Sequence, residues 1–344
     1  MSTPRPTYHM YEEIRSQPGH LLALGEAVAR GADAASAVLA GKTPILTGCG
    51  TSQYAAELAA SYLTERGAEV SAVGAFPLLQ RQAPLDRRRP IVALSHSGET
   101  PAVLDLLQSA HERDVPTVLI TGFPGSAGAR LATATVASGY ARELSLCHTI
   151  SFTLSSLTAL LLLKATAAQL PPGLLLPDLR ELAAGIDALL AREGEVARRA
   201  KALLAPQRVV VGAAEGLPLA REVGLKLSEA AYLASPALEL ELFFHGYIPA
   251  YAPGDHILAV LPPAAGTRGE DLRRVAQVMD MGLTVVDLPT LRTFAPDLSP
   301  ECFPWVAGVY LQLLTYHAAL LRGTDPDRLR REDPRYLAAR KAYR

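Results

Sequence analysis

Short apolar runs rich in β-branched residues alternate with longer amphipathic runs along most of this sequence. Each short run predicts a buried strand, and each longer run predicts a helix packed on a sheet. Strands that alternate with helices are typical of parallel sheets covered by helices, so we predict an α/β fold. The predicted strands are 44–47, 70–73, 91–94, 115–121, 208–212, 257–261 and 283–287, and the predicted helices are 51–66, 99–113, 149–170, 179–204, 217–232, 269–281 and 305–321.

The second half of the chain repeats the plan of the first half. The strand that ends at Gly48 corresponds to the strand that ends at Gly212, 164 residues later. The segment IVAL at 91–94 corresponds to ILAV at 257–260, which is an offset of 166 residues. A nearly constant offset indicates an internal duplication. The length of 344 residues also favours two domains of about 150 residues each.

The composition argues against several classes of protein but does not point to one function. With 33 basic and 34 acidic residues the net charge is −1, which gives no case for nucleic-acid or anionic-membrane binding. Cys49, Cys147 and Cys302 form no close pair, so neither a disulfide framework nor a thiolate metal site is indicated. The most apolar stretch, 150–163, is too short for a membrane span and predicts a buried helix. The polar N-terminus lacks the apolar core of a signal peptide, so we expect a cytoplasmic protein.

Two strand-to-helix turns carry candidate anion ligands. In IVALSHSGETPAVLDLL, a strand delivers Ser95, His96, Ser97 and Thr100 to the start of a helix. Helix N-termini present unpaired N–H groups and a partial positive charge, and hydroxyls add donors that need no charge of their own. In LTGCGTSQYAAEL, the corresponding residues are Gly50, Thr51 and Ser52.

Serine and threonine before a helix are usually caps, and either turn alone would favour that interpretation. Both turns, however, follow parallel strands and so lie at the same edge of the sheet, where such folds bind ligands. Together they favour an anion site. The sequence has no Walker motif and no GxGxxG, so a nucleotide is not supported as the ligand.

The helix AREVGLKLSEAAY carries Glu222, Lys226 and Glu229 on one face, because they are spaced by three and four residues. Such a face is usually a solvated salt-bridge stripe. The rest of this helix is apolar, and a buried carboxylate would have a raised pKa suited to a general base. His245 follows in ELELFFHGY. From the spacing alone, the structural interpretation of these four residues is favoured over a catalytic one.

Several motifs in order resemble the SIS (sugar isomerase) family. They are GCGTS at 48–52, LSHSGET at 94–100, EVGLKLSEAAY at 222–232, HG at 245–246 and LQLLTYHAALLRGTDPD at 311–327. Within the family, the chain is similar to the isomerase domain of glucosamine-6-phosphate synthase and to stand-alone deaminases and phosphosugar isomerases. The resemblance implies two tandem SIS domains, each a flavodoxin-like or Rossmann-like parallel sheet between helices. The implied division is a helical segment at 1–30, domains at 31–170 and 171–325, and a tail over the active site at 326–344.

The resemblance also implies roles for particular residues. Glu229 would be the base that moves a proton between C1 and C2 of the sugar, with Lys226 beside it. His245 would assist ring opening from the neighbouring subunit of a homodimer. No metal or organic cofactor would be required. The residues that would bind the phosphate of a phosphorylated sugar are Gly50, Thr51, Ser52, Ser95, His96, Ser97 and Thr100.

Three positions depart from the pattern of the synthases that the chain resembles. His96 stands in place of their glutamine, and Ile150 in place of a lysine before the core helix. Ala339 stands where the tail lysine would fall, and Arg340 or Lys341 is the possible substitute. No glutaminase domain is present in the sequence, so glutamine-dependent synthesis is not expected.

Three functional hypotheses follow. The first is a phosphosugar isomerase that also deaminates an amino sugar, converting glucosamine 6-phosphate to fructose 6-phosphate and ammonia. The second is a hydrolase on the same site, which releases the amine of a fructosamine phosphate. The third is a sugar-phosphate sensor without catalytic activity. Turnover over a panel of sugar phosphates would distinguish them.

Overall fold

The computed structural model describes residues 8–80, 85–140 and 142–342. The outer ends of the predicted N-terminal segment and C-terminal tail, at 1–7 and 343–344, lie outside these ranges. Two parallel sheets and the helices around them make up the fold, so the predicted α/β fold is confirmed. None of the described helices is both long enough and apolar enough to cross a membrane.

The two sheets share one strand order. In the first sheet the order is β2-β1-β3-β4-β5, and in the second it is β7-β6-β8-β9. Within each sheet, the first strand in sequence therefore lies between the second and the third. All the strand pairs are parallel. The strands are β1 Ile45–Thr47, β2 Ser71–Ala72, β3 Ile91–Leu94, β4 Thr117–Thr121, β5 Ala134–Ala137, β6 Arg208–Gly212, β7 Ala237–Glu239, β8 His256–Leu261 and β9 Gly282–Asp287.

The helices connect these strands and cover both sheets. The helix Leu179–Ala191, for example, is capped by Asp178. The carboxylate of Asp178 accepts hydrogen bonds from the first backbone N–H groups of the helix, as a good N-cap does. The α-helices are α1 His9–Leu39, α2 Thr51–Thr64, α3 Ala75–Leu79, α4 Pro101–Glu112, α5 Ala127–Leu131, α6 Ile150–Ala165, α7 Leu179–Ala191, α8 Glu193–Ala200, α9 Gly216–Ala230, α10 Leu240–Leu242, α11 Arg268–Val278, α12 Leu288–Arg292, α13 Phe303–Arg322 and α14 Pro334–Ala342.

Alternation along each strand divides the apolar core into three parts. In β8, Leu258 and Val260 face the large central core, whereas Ile257 and Ala259 face an outer core. In β3, Val92 and Leu94 likewise face the centre and Ile91 and Ala93 face outward. This is the two-residue period of a strand that is buried on both faces. The central core also includes the inner faces of α1, α2, α6, α7, α9 and α13, so these helices form a layer shared by both sheets.

Several predicted elements differ in extent from the structure. The predicted helix 149–170 ends at Ala165, and the predicted helix 179–204 divides into α7, α8 and a 3-10 turn. The N-terminal helix α1 runs past residue 30 to Leu39, because its buried face continues through Val38. The sequence analysis missed β5 and β7, which are strands of only four and three residues at sheet edges.

The apolar helix α6 is buried within its own chain. Nearly all of its residues, serines and threonines included, are covered by α1, α2 and α13. The helix is therefore covered without the surface of a second subunit. Some of its polar side chains bond to the preceding turn, as when Thr158 donates to the carbonyl of Leu154 at 2.7 Å.

Candidate active site

The two predicted anion turns meet at one edge of the first sheet. β1 and β3 are parallel neighbours, and their carboxyl ends are the point where the strand order reverses. Gly48 ends β1, and a Cβ there would lie 2.6 Å from the backbone of Ser52. Gly50 has φ +55° at the position before α2. These glycines let the backbone fold tightly back, which places the start of α2 beside the turn after β3.

Hydroxyl groups organise the turn that follows β3. Ser95 is buried, and its Oγ lies 3.2 Å from the Oγ1 of Thr100 and accepts the N–H of Gly98 at 3.2 Å. Ser97 Oγ accepts the N–H of Glu99 at 3.1 Å. Thr100 precedes α4 but makes no capping hydrogen bond to it. The interpretation of these hydroxyls as simple helix caps therefore finds no support at α4.

Gly98 packs this turn against the following loop. It has φ +64°, and a Cβ there would run into the hydroxyl of Ser126. Its carbonyl also accepts the N–H of Gly128. A side chain at position 98 would push the turn away from the following loop, because the side chain of Ser126 occupies the space.

The predicted charged residues of α9 form one buried network with the first half of the chain. Lys226 Nζ lies 2.7 Å from Glu229 Oε2, 2.8 Å from Thr51 Oγ1 and 3.5 Å from Glu222 Oε1. Lys226 is 1% exposed and Glu222 is 4% exposed, so the solvated-stripe interpretation is wrong for both. Thr51 also donates to Glu222, at 3.4 Å. The hydroxyl that the sequence suggested as a phosphate ligand thus joins α2 to α9.

Burial and charge shift the titration of this network in a consistent direction. Burial raises the pKa of Glu222 to about 7, although the ammonium of Lys226 works against it. For Lys226, burial alone would lower the pKa, but the carboxylates of Glu222 and Glu229 outweigh it and raise the pKa overall. The lysine therefore remains an ammonium ion. The Glu229 side chain is 24% exposed, so this carboxylate can meet a ligand while it holds the lysine.

A second cluster, which the sequence analysis did not identify, lies beside the turn after β3. His96 stacks on Tyr140, and its Nδ1 lies 2.9 Å from the Tyr140 hydroxyl. The rings of His96 and His148 meet edge to face at 4.7 Å. Glu143 accepts the N–H groups of Thr149 and Ile150, at 2.6 and 2.7 Å, at the start of α6. The segment ELSLCHTIS contained the signal, namely a histidine and a carboxylate flanking the start of an apolar helix.

The second cluster opens into a cavity of about 630 Å³. The cavity is bordered by Ser97 and Glu99 of the turn, by Phe123 and Pro124, and by His148 of the loop before α6. Burial, and then the neighbouring His148, lower the pKa of His96 to about 4. Burial also lowers the pKa of His148, against the opposing effect of Glu143. Both imidazoles are therefore neutral near pH 7.

The loop before α6 connects the cavity to the charged network. His148 is close enough to Lys226 and Glu229 for their charges to act on its titration. The buried thiol of Cys147 lies beside Glu229, and burial raises the pKa of that thiol. Residues 147 and 148 therefore lie between the two candidate clusters.

Three predicted residues are not brought to this site within the chain. His245 lies in a single helical turn, Phe243–Tyr247, and is exposed. It has no side-chain hydrogen bond or ion pair within the described residues. Arg340 and Lys341 lie on α14, which buries none of its residues.

The beginning of the predicted tail, in contrast, packs beside the site. Thr324 donates to the carbonyl of Ala230 at the end of α9, at 2.7 Å. The Arg330 N–H donates to the Tyr232 hydroxyl at 2.9 Å. The N–H of Leu146, next to Cys147, donates to the carbonyl of Asp327 at 3.1 Å. The tail therefore anchors near the site, although Arg340 and Lys341 do not reach it.

Hydroxyl-lined turns at the switch point of a parallel sheet, facing a buried lysine–carboxylate network, define a protein built to hold and process a small anionic ligand. Residues 41–163 match the model of the SIS domain, so the resemblance to that family is confirmed.

Curated relatives and solved structures agree with this result. A glutamine–fructose-6-phosphate aminotransferase (isomerizing) from Lactococcus lactis is 28% identical over 271 residues, which cover 74% of this chain and 44% of that protein. The chain spans about half the length of the curated relatives it matches.

Two solved structures share the fold. The C-terminal domain of a glucosamine-fructose-6-phosphate aminotransferase from Francisella tularensis has a TM-score of 0.77 at 22% identity, over 95% of this chain and 99% of that one. A glucosamine-6-phosphate deaminase from Thermotoga maritima has a TM-score of 0.74 at 20% identity, over 94% and 98%. Both alignments extend over the two sheets of the present chain.

Proposed function

We propose that this protein is an aldose–ketose isomerase of phosphorylated sugars that deaminates an amino sugar, with glucosamine 6-phosphate as the preferred substrate. Water is the second reactant, and the products are fructose 6-phosphate and ammonia. The observation that carries the proposal is the 2.7 Å ion pair of Lys226 and Glu229 beside the hydroxyl-lined turns. The names of the relatives, which include a glucosamine-6-phosphate deaminase, support this choice of substrate class.

The first-sheet turns would bind the phosphate. Gly50, Ser52, Ser95, Ser97 and Thr100 lie at the carboxyl edge of β1 and β3, together with Thr51 and His96. The amides at the start of α4 and the Ser97 hydroxyl would donate to the phosphate oxygens. His96 would act there as a neutral group, because the low pKa of His96 leaves it uncharged near pH 7.

The α9 network would carry out the proton transfer. Glu229 is partly exposed, whereas Lys226 is enclosed, so the carboxylate is the group that can reach carbon. After ring opening, Glu229 would take the proton from one of C1 and C2 and return it to the other, through an enolamine or enediol. The buried ammonium of Lys226 would hold the carboxylate in place and balance the negative charge that develops. Neither the ring opening nor the proton transfer needs a cofactor.

Ring opening would use His245 from a second copy of the chain. The exposed turn that holds His245 also exposes Leu242 and Tyr247, at 54% and 48%, as a contact surface between subunits would. We therefore propose a homodimer in which His245 of each subunit completes the active site of the other subunit. Mixing inactive Glu229→Gln and His245→Ala chains should restore activity through hybrid sites. A monomeric mass by light scattering, or no restoration, would contradict the dimer.

The shared strand order supports a second SIS-type domain in the second half, although the family model matches only residues 41–163. We propose domains at 31–170 and 171–325, a helical segment at 1–30 and a tail at 326–344. The Gly48 and Gly212 turns support this duplication, since in each a Cβ would meet the backbone four residues later.

The decisive experiment measures ammonia release and isomerisation over a panel of hexose and aminohexose 6-phosphates. We expect turnover of glucosamine 6-phosphate by the wild type and a loss of about 10²–10⁴-fold in kcat for Glu229→Gln, the range typical of a general base. Glu195→Gln is the matched control, because Glu195 is paired with Arg192 on the surface, away from the site. Equal loss in both variants, or full activity in Glu229→Gln, would refute the role of Glu229.

A fructosamine-phosphate hydrolase is the second candidate, and one observation favours it. Arg340 and Lys341 make no contact with the site, so the position of the tail lysine in the synthases has no basic counterpart here. Release of an amino acid from a fructosamine 6-phosphate, without turnover of glucosamine 6-phosphate, would support this alternative. Tight phosphosugar binding without any turnover would instead support a sensor.

A further inference from the structure

The cluster of His96, Glu143 and His148 has the composition of a metal site. One ligand atom from each residue lies within 4.8 Å of the others. His96 and Glu143 are buried, and His148 is largely covered at the edge of the cavity. Two imidazoles and one carboxylate form a set of three protein ligands that is typical of catalytic zinc sites.

We propose that His96, Glu143 and His148 bind one divalent transition-metal ion, with zinc as the preferred ion, at the inner wall of the cavity beside the turn after β3. This site goes beyond the proposed isomerase chemistry, which Glu229 and Lys226 carry without a metal.

The histidines are prepared for ligation. A metal binds the neutral imidazole through one of its two ring nitrogens. The Nδ1 of His96 is engaged by the Tyr140 hydroxyl, which leaves Nε2 for the metal. Such a partner fixes the tautomer of a metal-binding histidine.

The carboxylate of Glu143 is also held in a position to bind the metal ion. Glu143 Oε1 accepts two amides at the start of α6, whereas Oε2 accepts one longer bond, from the Ser151 N–H at 3.2 Å. Oε2 therefore retains a lone pair for a cation. The helix N-terminus favours a negative charge at this position.

The geometry requires a small contraction on metal binding. Zinc–nitrogen bonds of about 2.1 Å place tetrahedral ligand atoms about 3.4 Å apart, which is closer than the upper limit of 4.8 Å in this cluster. His148 lies on the loop between β5 and α6, so this ring can approach the other two ligands. The fourth position would face the cavity that Ser97 and Glu99 border, and a water molecule or a sugar oxygen could occupy it there.

Zinc titration of the full chain tests this proposal without any assay of activity. Chain without a histidine tag, stripped with a chelator, is titrated with ZnCl₂ in a calorimeter. Cobalt(II) is added in parallel, since its visible spectrum reports four-coordination. We expect one ion per chain and a cobalt spectrum of a four-coordinate site. His148→Ala should weaken zinc binding by more than about 100-fold, and Tyr140→Phe by about 10-fold, as an outer-shell change does.

His111→Ala is the matched control, because His111 is an exposed histidine at the end of α4. This control should bind zinc like the wild type, and circular dichroism checks that all variants are folded. Failure of the wild type to bind either metal would overturn the proposal. Binding that survives both His148→Ala and Tyr140→Phe would also overturn it. Neither result bears on Glu229, whose role is tested by turnover.

Discussion

The two halves of the chain have the same strand order but differ at the edges where ligands bind. In the first half, Thr51 and the turn SHSGET follow the strands. In the second half, the corresponding places hold Glu215, which is paired with Arg66 at 2.7 Å, and the turn PPAAGT. The carboxylate of Glu215 would repel a phosphate. The two prolines have no N–H groups that could donate to it. The second half therefore shares the strand order of the first half but lacks the hydroxyl-rich turns that we propose as phosphate ligands.

What the second half has instead is the charged face of α9. That helix begins after β6, at the place where α2 begins after β1, and it carries Glu222, Lys226 and Glu229. In the function that we propose, the first half would supply donors for a ligand and the second half would supply acid–base groups. The Thr51–Lys226 hydrogen bond joins the two halves.

We expect the largest effect from a substitution of Lys226, which joins the two halves. Lys226→Met leaves two carboxylates without their cation in a buried site, which should lower the free energy of unfolding by about 3–5 kcal/mol. Adding Glu222→Gln should recover part of this loss, because it removes one uncompensated charge. Chemical denaturation measures both. Lys164→Met, at an exposed lysine on α6, should change stability little. A loss below about 1 kcal/mol for Lys226→Met would show that the network is not coupled to folding.

The second half should add a contribution of its own to the acid sensitivity of the protein. His256 begins β8, where the first half has Pro90, and burial followed by Arg208 lowers the pKa of His256 to about 4. Below pH 6.5 the unfolded chain binds a proton that the folded chain does not, so stability falls as the pH drops from 6.5 towards 4. This histidine should account for up to about 3 kcal/mol of that fall.

Denaturation of the wild type and His256→Gln at pH 7.5 and pH 5 tests this contribution. Glutamine can still reach Thr284, which the His256 ring contacts at 3.0 Å. The variant should lose less stability than the wild type between the two pH values. Equal losses would mean that other groups determine the acid sensitivity.

The two tight turns should respond alike, since they are the features that the halves share. A Cβ at Gly48 or Gly212 would meet the backbone at Ser52 or Gly216, so alanine at either position should cost about 1–3 kcal/mol. Gly125→Ala is the control, because nothing lies within 4 Å of the added atom. Thermal unfolding compares the three. A cost at only one of the two turns would weaken the equivalence of the halves.

We expect the smallest effect from the loss of one hydroxyl group, and it should differ between the first-half turn and the second-half turn. Ser97→Ala removes one donor from the first-half turn and should raise KM for a sugar phosphate about tenfold, or about 1.4 kcal/mol, with little change in kcat. Thr267→Ala removes the hydroxyl of the second-half turn and should leave KM unaltered. Similar effects at both positions would show that phosphate binding is not confined to the first half.

The sequence by itself determined the fold class, the repeat and the polar turns. Runs such as 91–94 and 257–260 are apolar throughout, because their strands are buried on both faces, and this pattern is local. Glycines at strand ends and hydroxyls before helices are also local signals. The short edge strands β5 and β7 escaped notice, because sheet pairing and not their own sequence makes them strands.

Only the tertiary structure decided which polar groups meet. Thr51 and Lys226 are 175 residues apart, yet they share a hydrogen bond at 2.8 Å. Spacing along α9 could place its charges on one face, but it could not tell a solvated stripe from a buried network. His96 and His148 likewise meet because β3 and the loop before α6 pack together. Burial and contact depend on how separate elements pack, and that packing reduces the exposure of Lys226 to 1% and gives its charge a role.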